Sequence, residues 1–286
     1  MISDTGLGYT GGPTSENPAE SAGGIRAHPF KLDFQAGGSY ARLPLIMDGA
    51  VLDHQAAGGI SCFISSRSTG AKAGEANPGE SLLYGSLGLD PSQVFACTQV
   101  HSQEILFIDG RSPAAGQEAD GMISRETGVW LSVTVADCLP VFLYDTESGG
   151  FGLVHSGWKG TGIGLRALRL MEHRWHTRPE NVAAILGPCI QACCYRVHEE
   201  RAMAFEAEFG GAGGAYPLGP VVRHVQTIPE KAWYLDLQAA NARLLGNAGV
   251  RNIAVCQDCT FTDERLGSFR REGASYTRMI ALIGKR

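Results

Sequence analysis

The chain has 286 residues, of which 44% are hydrophobic and 19% are charged, and its formal net charge is −5. These values are typical of a soluble globular protein that can bury a full core. They argue against nucleic acid as a partner, because no basic stripe is present, and the absence of a long apolar run or a secretory signal predicts a cytoplasmic protein without membrane contacts.

The N-terminal segment differs in composition from the rest of the chain. Residues 1–27 are rich in Gly, Ser, Pro and Glu and contain few large apolar side chains. Such a segment buries too little apolar surface to offset the entropy of ordering. We therefore predict a flexible arm over 1–27 and one large catalytic domain over 28–286, which opens with a strand near Phe30–Phe34.

Strands and helices interleave along that domain. Apolar, β-branched runs bounded by turn residues predict strands, and apolar residues recurring every three to four positions predict helices. The predicted strands are Phe95–Val100, Val129–Val135, Val141–Tyr144, Gly152–His155, Val182–Leu186, Asn252–Cys256 and Tyr276–Ile283. The predicted helices are Gly162–His176, Val197–Phe209 and one from Leu237 to Leu245. This order favours an α/β fold with mixed sheets in layers.

Three ligand-type residues follow or end apolar runs: His101, Cys138 and His155. One thiolate and two imidazoles form a set that Zn²⁺ accepts when its fourth position stays open for water or substrate. An open position is typical of a catalytic rather than a structural zinc site. A lone cysteine after a strand is, by contrast, usually a small buried hydrophobe.

Local geometry brings two of these residues together. If the runs on either side of the turn at residues 146–150 form a hairpin, Val141 faces His155 and Cys138 lies about 10 Å along the strand at ~3.3 Å per residue. We expect Pro140 to end the ladder and to let the segment before it bend inward. His101 must come from a separate strand end, which spacing alone does not locate.

These stretches resemble a known family. Gln99–His101, Ala136–Pro140 and His155–Gly160 are similar to the QVH, ADCxP and H-(A/S)-G-W-(R/K)-G segments of the YfiH-like family. That family has been labelled laccase-domain or polyphenol oxidase and is now read as purine nucleoside phosphorylases. Further stretches match in the same order: Phe63–Arg67, Leu186–Ile190, Cys194–Val197, Asp258–Thr260 and Ser268–Arg271.

The resemblance implies a sandwich with sheets inside and helices outside, and zinc bound by His101, Cys138 and His155. Arg67 and Arg270 lie in family motifs and are expected to bind substrate. Lys159 belongs to a glycine-rich turn before a helix, where backbone N–H groups can hold an anion, and its charge would add to such a site. Asp137 is expected either to orient a histidine ligand or to accept backbone hydrogen bonds in the turn.

The sequence also departs from the family pattern. The family usually follows its Thr-x-Arg segment with Gly-Gly-Val-Ser and a Ser-Leu-Asn-Leu-Gly loop that borders the substrate site. Here Arg67 is followed by Ser68-Thr69-Gly70-Ala71, and no such loop precedes Gly79. The contacts to the substrate are therefore expected to differ from the family pattern.

The leading hypothesis is a zinc-dependent purine nucleoside phosphorylase that acts on adenosine or inosine, with 5′-methylthioadenosine as a further candidate. Its partners would be a purine nucleoside and inorganic phosphate, and we expect a monomer or a homodimer. The same metal site predicts adenosine deamination as a side activity, by chemical analogy with zinc deaminases. All three ligands are expected to be essential for catalysis.

Three alternatives use the same residues. A cysteine hydrolase would use Cys138 as nucleophile and His155 or His101 as base. A copper-dependent polyphenol oxidase would place Cu²⁺ at the same ligands, although the chain has eight histidines and no His-x-His pair. A non-enzymatic binding protein would keep the cavity and lose the open metal position.

The eight cysteines are expected to be reduced, since no signal peptide is recognisable. Cys256 and Cys259 form a C-x-x-C that, with Cys189 and Cys193, suggests a structural zinc site. We consider inert buried thiols the better interpretation of these cysteines, because Cys193 is adjacent to Cys194 and does not form a second C-x-x-C pair.

Overall fold

The structure is a computed structural model that describes residues 24–35, 38–52, 59–72, 78–111, 114–211, 218–226 and 231–286. Within these ranges the chain forms eighteen strands and five α-helices. The strands are β1 Arg26–Phe30, β2 Tyr40–Arg42, β3 Ile46–Met47, β4 Ala50–Val51, β5 Ile60–Ser65, β6 Ala71–Lys72, β7 Val94–Ala96, β8 Ile105–Phe107, β9 Gly121–Ser124, β10 Trp130–Val135, β11 Leu139–Asp145, β12 Phe151–Ser156, β13 Val182–Leu186, β14 Arg196–Val197, β15 Val222–Gln226, β16 Lys231–Leu235, β17 Asn252–Cys256 and β18 Thr277–Lys285. The helices are α1 Pro78–Leu87, α2 Ile163–Trp175, α3 Glu199–Phe209, α4 Leu237–Asn247 and α5 Phe269–Glu272.

Two large sheets form the centre of the fold. The first has the strand order β1-β17-β13-β11-β12-β9-β8, and the second has the order β2-β5-β18-β10-β7, with β6 paired to β18. Both sheets are mixed: β11 pairs antiparallel with β12 and β13, whereas β13 pairs parallel with β17. A small sheet, β14-β16-β15, and the pair β3-β4 complete the described strands.

Alternating side chains pack the two sheets against each other. In β11, Phe142 and Tyr144 point into the core between the sheets, whereas Val141 and Leu143 point to α2 and its neighbouring helices. Successive side chains of a strand lie on opposite faces. A strand covered on both faces therefore has an almost continuous apolar sequence, and every residue of β11 is buried.

The second sheet is covered on its outer face by α1, where Leu83, Tyr84 and Leu87 pack against Trp130 and its neighbours. Helices α2 and α4 cover the outer face of the first sheet, and α3 packs against α4 and the small sheet. The order of layers is therefore helices, sheet, sheet, helix. The predicted α/β sandwich of mixed sheets with helices outside is confirmed.

The predicted elements agree with the structure for most of the core. Strands β13 and β17 have the predicted bounds, and α2 differs from its prediction by one residue at each end. Helix α1 and the sheet β14-β16-β15 were not predicted, because their segments are short or have no clear apolar period.

The N-terminal boundary differs from the expected one. Strand β1 begins at Arg26 and pairs parallel with β17, so Arg26 and Ala27 belong to the sheet rather than to an arm. Residues 1–23 lie outside the described residues, and the flexible arm there stays a prediction.

The hairpin prediction is wrong by one residue. Strands β11 and β12 pair so that Pro140, not Val141, lies opposite His155. The reason is that Asp145 and Gly150 still face each other across the hairpin, since the Asp145 N–H donates to the Gly150 carbonyl at 2.8 Å. The turn is therefore one residue shorter than expected.

Pro140 also does not end the ladder, since β11 begins at Leu139. The β13 neighbour of β11 is paired only from Val141 onward. The missing N–H of Pro140 therefore lies at the end of β11 that extends beyond its ladder with β13. Such a position tolerates proline.

Candidate metal centre and active site

The three predicted ligands meet at one end of the first sheet. The ligand atoms of His101, Cys138 and His155 all lie within 4.8 Å of one another. The rings of His101 and His155 are edge to face with centroids 4.9 Å apart. His155 is buried, Cys138 is half-buried and His101 is exposed, so the group opens to solvent on the side of His101.

Each ligand comes from a different local structure. His155 is the fifth residue of β12, and Cys138 lies in the tight connection between β10 and β11. His101 lies in the loop between β7 and β8 with φ 59°, and Asp137 has φ 82°. Left-handed backbone at non-glycine residues is uncommon and concentrates at functional sites.

The buried carboxylate of Asp120 holds two of the ligands in place. This residue was not identified from the sequence. Asp120 is 0% exposed. Its Oδ1 lies 2.8 Å from His155 Nδ1, and its Oδ2 accepts from the N–H groups of Val100 and Ser102 at 3.1 and 2.6 Å. It therefore fixes both the His155 ring and the loop that carries His101. No motif marks Asp120, because its role depends on contacts across 18 to 35 residues of sequence.

Asp120 also decides which nitrogen of His155 faces the metal site. A carboxylate only accepts hydrogen bonds, so Nδ1 carries the proton and Nε2 is left as a ligand atom. Burial by itself would raise the pKa of Asp120, but hydrogen bonds from His155 and Ser102 outweigh it and hold the pKa well below its usual range. The carboxyl group is therefore ionised where it contacts the histidine.

Asp137 fixes the connection that carries Cys138. Its carboxylate accepts from Thr260 Oγ1 at 2.6 Å and from the Arg270 N–H at 2.7 Å, and its carbonyl accepts from the Ile190 N–H. The Asp137 carboxylate therefore accepts a backbone hydrogen bond, as one of the two expected roles requires, but its donors belong to distant segments and not to its own turn. The carboxylate that orients a histidine is Asp120.

The charges of the ligands are coupled. Burial opposes ionisation of Cys138, but hydrogen bonds with His101 and His155 outweigh it and lower the thiol pKa to about 7. Burial likewise opposes protonation of His155, but Asp120 and Cys138 raise its pKa to about 9. Without a metal, the group therefore favours a thiolate beside an imidazolium at neutral pH.

The donor set fits a metal ion. A thiol and two imidazoles converge, and the second nitrogen of His155 is held by a carboxylate, as is usual for metal-bound histidines. A Cβ on Gly157 would lie 3.1 Å from Cys138 Sγ and 3.3 Å from His101 Cδ2. Only glycine leaves this space free, which explains the glycine after His155-Ser156.

A cavity of about 430 Å³ opens above the ligands. Aromatic rings and guanidinium groups from distant segments form its walls. The aromatic residues are Trp158, Tyr195, Phe269 and Tyr276, and the arginines are Arg201, Arg270 and Arg278. A cavity with apolar surfaces and a few placed polar groups is typical of a small-molecule site.

The aromatic rings and cations of the wall contact one another. The Arg201 guanidinium lies 4.4 Å from the centroid of Trp158, and that of Arg270 lies 5.2 Å from the centroid of Tyr195. Trp158 is 36% exposed and Phe269 is 51% exposed. Large exposed rings at the rim of a cavity offer flat surfaces to an aromatic ligand.

Arg278 contributes a buried donor without a partner. Its Nε is buried and has no hydrogen-bond partner among the described residues, and the residue lines the cavity. An unsatisfied buried donor is costly unless a ligand or water accepts from it.

The three predicted substrate-binding residues are placed differently. Arg270 lines the cavity and donates to the Arg196 carbonyl at 3.0 Å. Arg67 is not brought to the cavity: its Nε lies 3.5 Å from Glu272 Oε1, and the residue lines a separate hollow. Its motif position marks a contact to α5, which carries Arg270, rather than a contact to a ligand in the cavity.

Lys159 lies beside the site rather than in its wall. Its Nζ is 5.6 Å from the centroid of the Trp158 ring. Within the glycine-rich segment, Trp158 is the residue that lines the cavity. The Gly162 N–H at the start of α2 faces Asn241 Oδ1 at 3.5 Å. The glycine-rich segment therefore leaves space for the metal ligands. The N-terminus of α2 does not line the cavity, although an anion site would require it to do so.

Comparison with known proteins agrees with the fold. Residues 66–286 match the model of the family described as multi-copper polyphenol oxidoreductase laccase. The chain belongs to this family. This confirms the YfiH-like resemblance seen in the sequence, and the match contains all three ligand residues.

Curated relatives of the chain carry enzyme names. It is 35% identical over 204 residues to a purine nucleoside phosphorylase of Deinococcus radiodurans, a match that covers 71% of this chain and 74% of the relative. It is 32% identical over 200 residues to adenosine deaminase RL5 of an unknown prokaryotic organism, with coverage of 63% and 73%. The chain is therefore an enzyme at the level of its family.

A solved structure has the same fold. The crystal structure of YlmD from Geobacillus stearothermophilus superposes with a TM-score of 0.70 at 26% sequence identity, and the match covers 89% of this chain and 98% of that one. No helix among the described residues is long and apolar enough to cross a membrane.

Proposed function

We propose that this chain is a zinc-dependent purine nucleoside phosphorylase. One observation carries the proposal: an open set of one thiol and two imidazoles lies at the floor of a cavity with aromatic and cationic walls. The name of the Deinococcus radiodurans relative supports the same reaction class. The substrates would be adenosine or inosine, with 5′-methylthioadenosine as a further candidate, together with inorganic phosphate.

His101, Cys138 and His155 would hold the metal ion. A bound Zn²⁺ supplies a Lewis acid that polarises an oxygen atom or lowers the pKa of a water molecule. The protein prepares the ligands beforehand, because Asp120 keeps the proton of His155 on Nδ1 and Asp137 fixes the turn before Cys138.

The proposed reaction needs aromatic side chains that stack on the purine and positively charged side chains that bind the phosphate. A phosphate oxygen forms a bond to ribose C1′, and the bond from C1′ to the purine nitrogen breaks. The leaving nitrogen takes up a proton, which balances the one lost by hydrogen phosphate, and the products are ribose 1-phosphate and the free base. The transition state is oxocarbenium-like, as in glycoside hydrolysis. Trp158 and Phe269 would stack on the purine, while the arginines of the wall would bind the phosphate.

Arg278 is the arginine best placed for a ligand. Its Nε is buried without a partner, whereas Arg270 already donates to the Arg196 carbonyl. Phosphate oxygens accept charge-assisted hydrogen bonds from guanidinium groups in a planar, paired geometry. Arg278 would therefore bind the phosphate or an oxygen of the nucleoside.

Product analysis tests the proposal. Zinc-loaded protein is incubated with inosine, adenosine or 5′-methylthioadenosine, with and without phosphate, and the products are separated by chromatography. We expect free base and ribose 1-phosphate (or its methylthio derivative) only when phosphate is present. Full zinc loading with no product from any of these nucleosides would refute the proposal.

The same assay tests adenosine deamination as a side activity. The relative named adenosine deaminase RL5 supports this reaction. We expect inosine and ammonia from adenosine without phosphate, with the same dependence on Cys138. Deamination that persists in Cys138→Ala would assign it to a contaminating enzyme.

A cysteine hydrolase is a second candidate, and one observation favours it. His155 lies between Cys138 and Asp120 and hydrogen-bonds to both, an order that also serves a nucleophile, base and orienting acid. Removal of the metal separates the two candidates. A hydrolase keeps or gains activity after chelation, whereas the phosphorylase loses it and recovers with zinc.

Copper-dependent phenol oxidation has less support in the site. Multicopper oxidases need many imidazoles, and His101 and His155 are the two histidines gathered with a cysteine in the part of the chain described. Copper could occupy the same ligands, since Cu²⁺ outcompetes Zn²⁺ at most nitrogen and sulfur sites. Metal analysis of protein purified without chelator identifies the bound ion.

A further inference from the structure

A second group of thiols lies outside the site described above. Cys193 and Cys194 lie in the turn between β13 and β14, and Cys259 lies in the turn after β17. Their three Sγ atoms are all within 4.8 Å of one another, and those of Cys193 and Cys194 are 3.1 Å apart. A backbone bridge between Cys189 and Cys259 holds the two turns side by side.

The structure prepares Cys259 to carry negative charge. Its sulfur accepts from three backbone N–H groups, those of Gln191, Phe261 and Thr262, the first at 3.4 Å. Burial opposes ionisation of this thiol, but these donors outweigh it and lower its pKa. Amide donors that converge on one sulfur stabilise the thiolate form, which is the form that binds metals.

The other two thiols provide access and complete the group. Cys193 is exposed, Cys194 is half-buried and Cys259 is buried, so an ion can enter from solvent. Cys62 and Cys256 differ, because both are buried and neither belongs to the cluster of thiols. The three clustered thiols are thus distinct from the inert buried thiols expected from the sequence.

We propose that Cys193, Cys194 and Cys259 form a second metal site, which binds monovalent copper through three thiolates. Soft thiolate ligands select Cu⁺, Zn²⁺ and iron–sulfur clusters. Structural zinc sites and iron–sulfur clusters use four protein ligands, and zinc sites with three protein ligands and an open position include imidazole, as at His101 and His155. Among the described residues the group comprises these three thiols without a fourth ligand, which favours the lower coordination number of Cu⁺.

The binding step needs no electron transfer. Copper enters as Cu⁺, three copper–sulfur bonds form, and the protons still on the thiols leave to solvent. The metal therefore competes with protons for the three sulfur atoms. Affinity should therefore increase with pH.

The thiol site shares its two turns with the catalytic cavity. Thr260, which follows Cys259, donates to Asp137 Oδ1 at 2.6 Å. Tyr195, which follows Cys194, lines the cavity, as does Ile190 at the other end of the same turn. A metal at the three thiols would hold together two segments that shape the cavity.

Competition with a chromophoric Cu⁺ chelator tests the proposal under anaerobic, reducing conditions. The protein carries His101→Ala and Cys138→Ala, so that the first site cannot contribute. We expect it to bind one Cu⁺ with three sulfur neighbours by X-ray absorption. Adding Cys193→Ala or Cys259→Ala should weaken binding by roughly tenfold or more, since even outer contacts of metal ligands are worth about 10- to 100-fold.

Cys62→Ala is the matched control, because it removes a thiol that lies in the other sheet. It should leave Cu⁺ binding unchanged. Cys193 is exposed, so its replacement leaves the core intact, and thermal unfolding checks this. Unchanged Cu⁺ affinity in both cluster variants, or binding of Zn²⁺ in preference to Cu⁺, would overturn the proposal. The readout uses no turnover, so it is independent of the proposed phosphorylase activity.

Discussion

The floor and the wall of the catalytic cavity are built in different ways. At the floor, His155 and the loop of His101 are fixed by the fully buried Asp120, and the Cys138 turn is fixed by Asp137. In the wall, exposed rings such as Trp158 and Phe269 come from separate elements. The floor is therefore held by buried hydrogen bonds, whereas the wall consists largely of partly exposed side chains.

The same contrast explains how one fold can carry several activity names. Rigid ligands preserve a metal site, while changes in a few wall residues alter the substrate. The predictions below test whether floor and wall can be separated experimentally.

Removal of a ligand should have the largest effect. Cys138→Ala is expected to lose the metal and to reduce turnover by about a thousandfold or more, because bound metal contributes several kcal/mol of transition-state stabilisation. Elemental analysis and turnover measure this, and Cys62→Ala serves as the thiol control. Equal zinc content in Cys138→Ala and in the unmodified protein would contradict the assignment.

Removal of the support beneath the ligands should have the next largest effect. Asp120→Asn keeps the shape but loses the charge that orients His155, and metal affinity should fall by roughly 10- to 100-fold. Asp145→Asn is a matched control, because Asp145 is equally buried at the far end of β11. If both variants hold zinc with the same affinity, the floor does not depend on Asp120.

A change in the wall should affect substrate binding alone. Arg278→Ala is expected to raise KM about tenfold or more, since a hydrogen bond to a charged group contributes roughly 1.5–3 kcal/mol, while zinc content stays unchanged. Lys159→Ala is the control, because Lys159 contacts Trp158 and does not line the cavity. A loss of zinc in Arg278→Ala would show that floor and wall are not separable.

Gly157→Ala should act on the floor by steric contact. The new Cβ would lie 3.1 Å from Cys138 Sγ, so the sulfur must move by a few tenths of an ångström. We expect a loss of metal affinity smaller than that of Asp120→Asn, because small misplacements cost less than lost charges. Gly85→Ala is the control, since its Cβ would meet nothing within 4 Å.

The smallest effect concerns the metal-free protein. Because its pKa is lowered to about 7, Cys138 should be alkylated with a midpoint near pH 7, below the usual range of a free thiol near 8.5. His155→Ala removes a stabilising partner and should move this midpoint upward. Iodoacetamide labelling followed by mass spectrometry measures both midpoints, and identical curves would contradict the coupling.

Much of the fold was predictable because most core strands are covered on both faces. Such strands have continuous apolar sequences, and β13 and β17 were predicted with their observed bounds. Helix α2 was predicted from its four-residue apolar period. The predicted hairpin register was wrong by one residue. The hydrogen bond nearest the turn joins Asp145 and Gly150, and the amino-acid composition of the turn does not indicate where that bond lies.

The candidate site was predictable only in part. His101, Cys138 and His155 were identified from residue type, from their place at strand ends and from the family resemblance. Arg270 reaches the cavity as expected, whereas Arg67 contacts Glu272 instead. A motif shows that a residue is needed but not what it contacts, and a role of Arg67 in substrate binding therefore stays a prediction.

The sequence by itself determined the layered α/β architecture, the family and the three ligands of the candidate metal centre, because these depend on local patterns. Tertiary structure alone decided the contacts between distant segments. The hydrogen bond of Asp120 to His155 and the meeting of Cys193 with Cys259 both join residues far apart in the chain. Their roles arise from packing of the sheets and turns, a property that residue type and spacing do not encode.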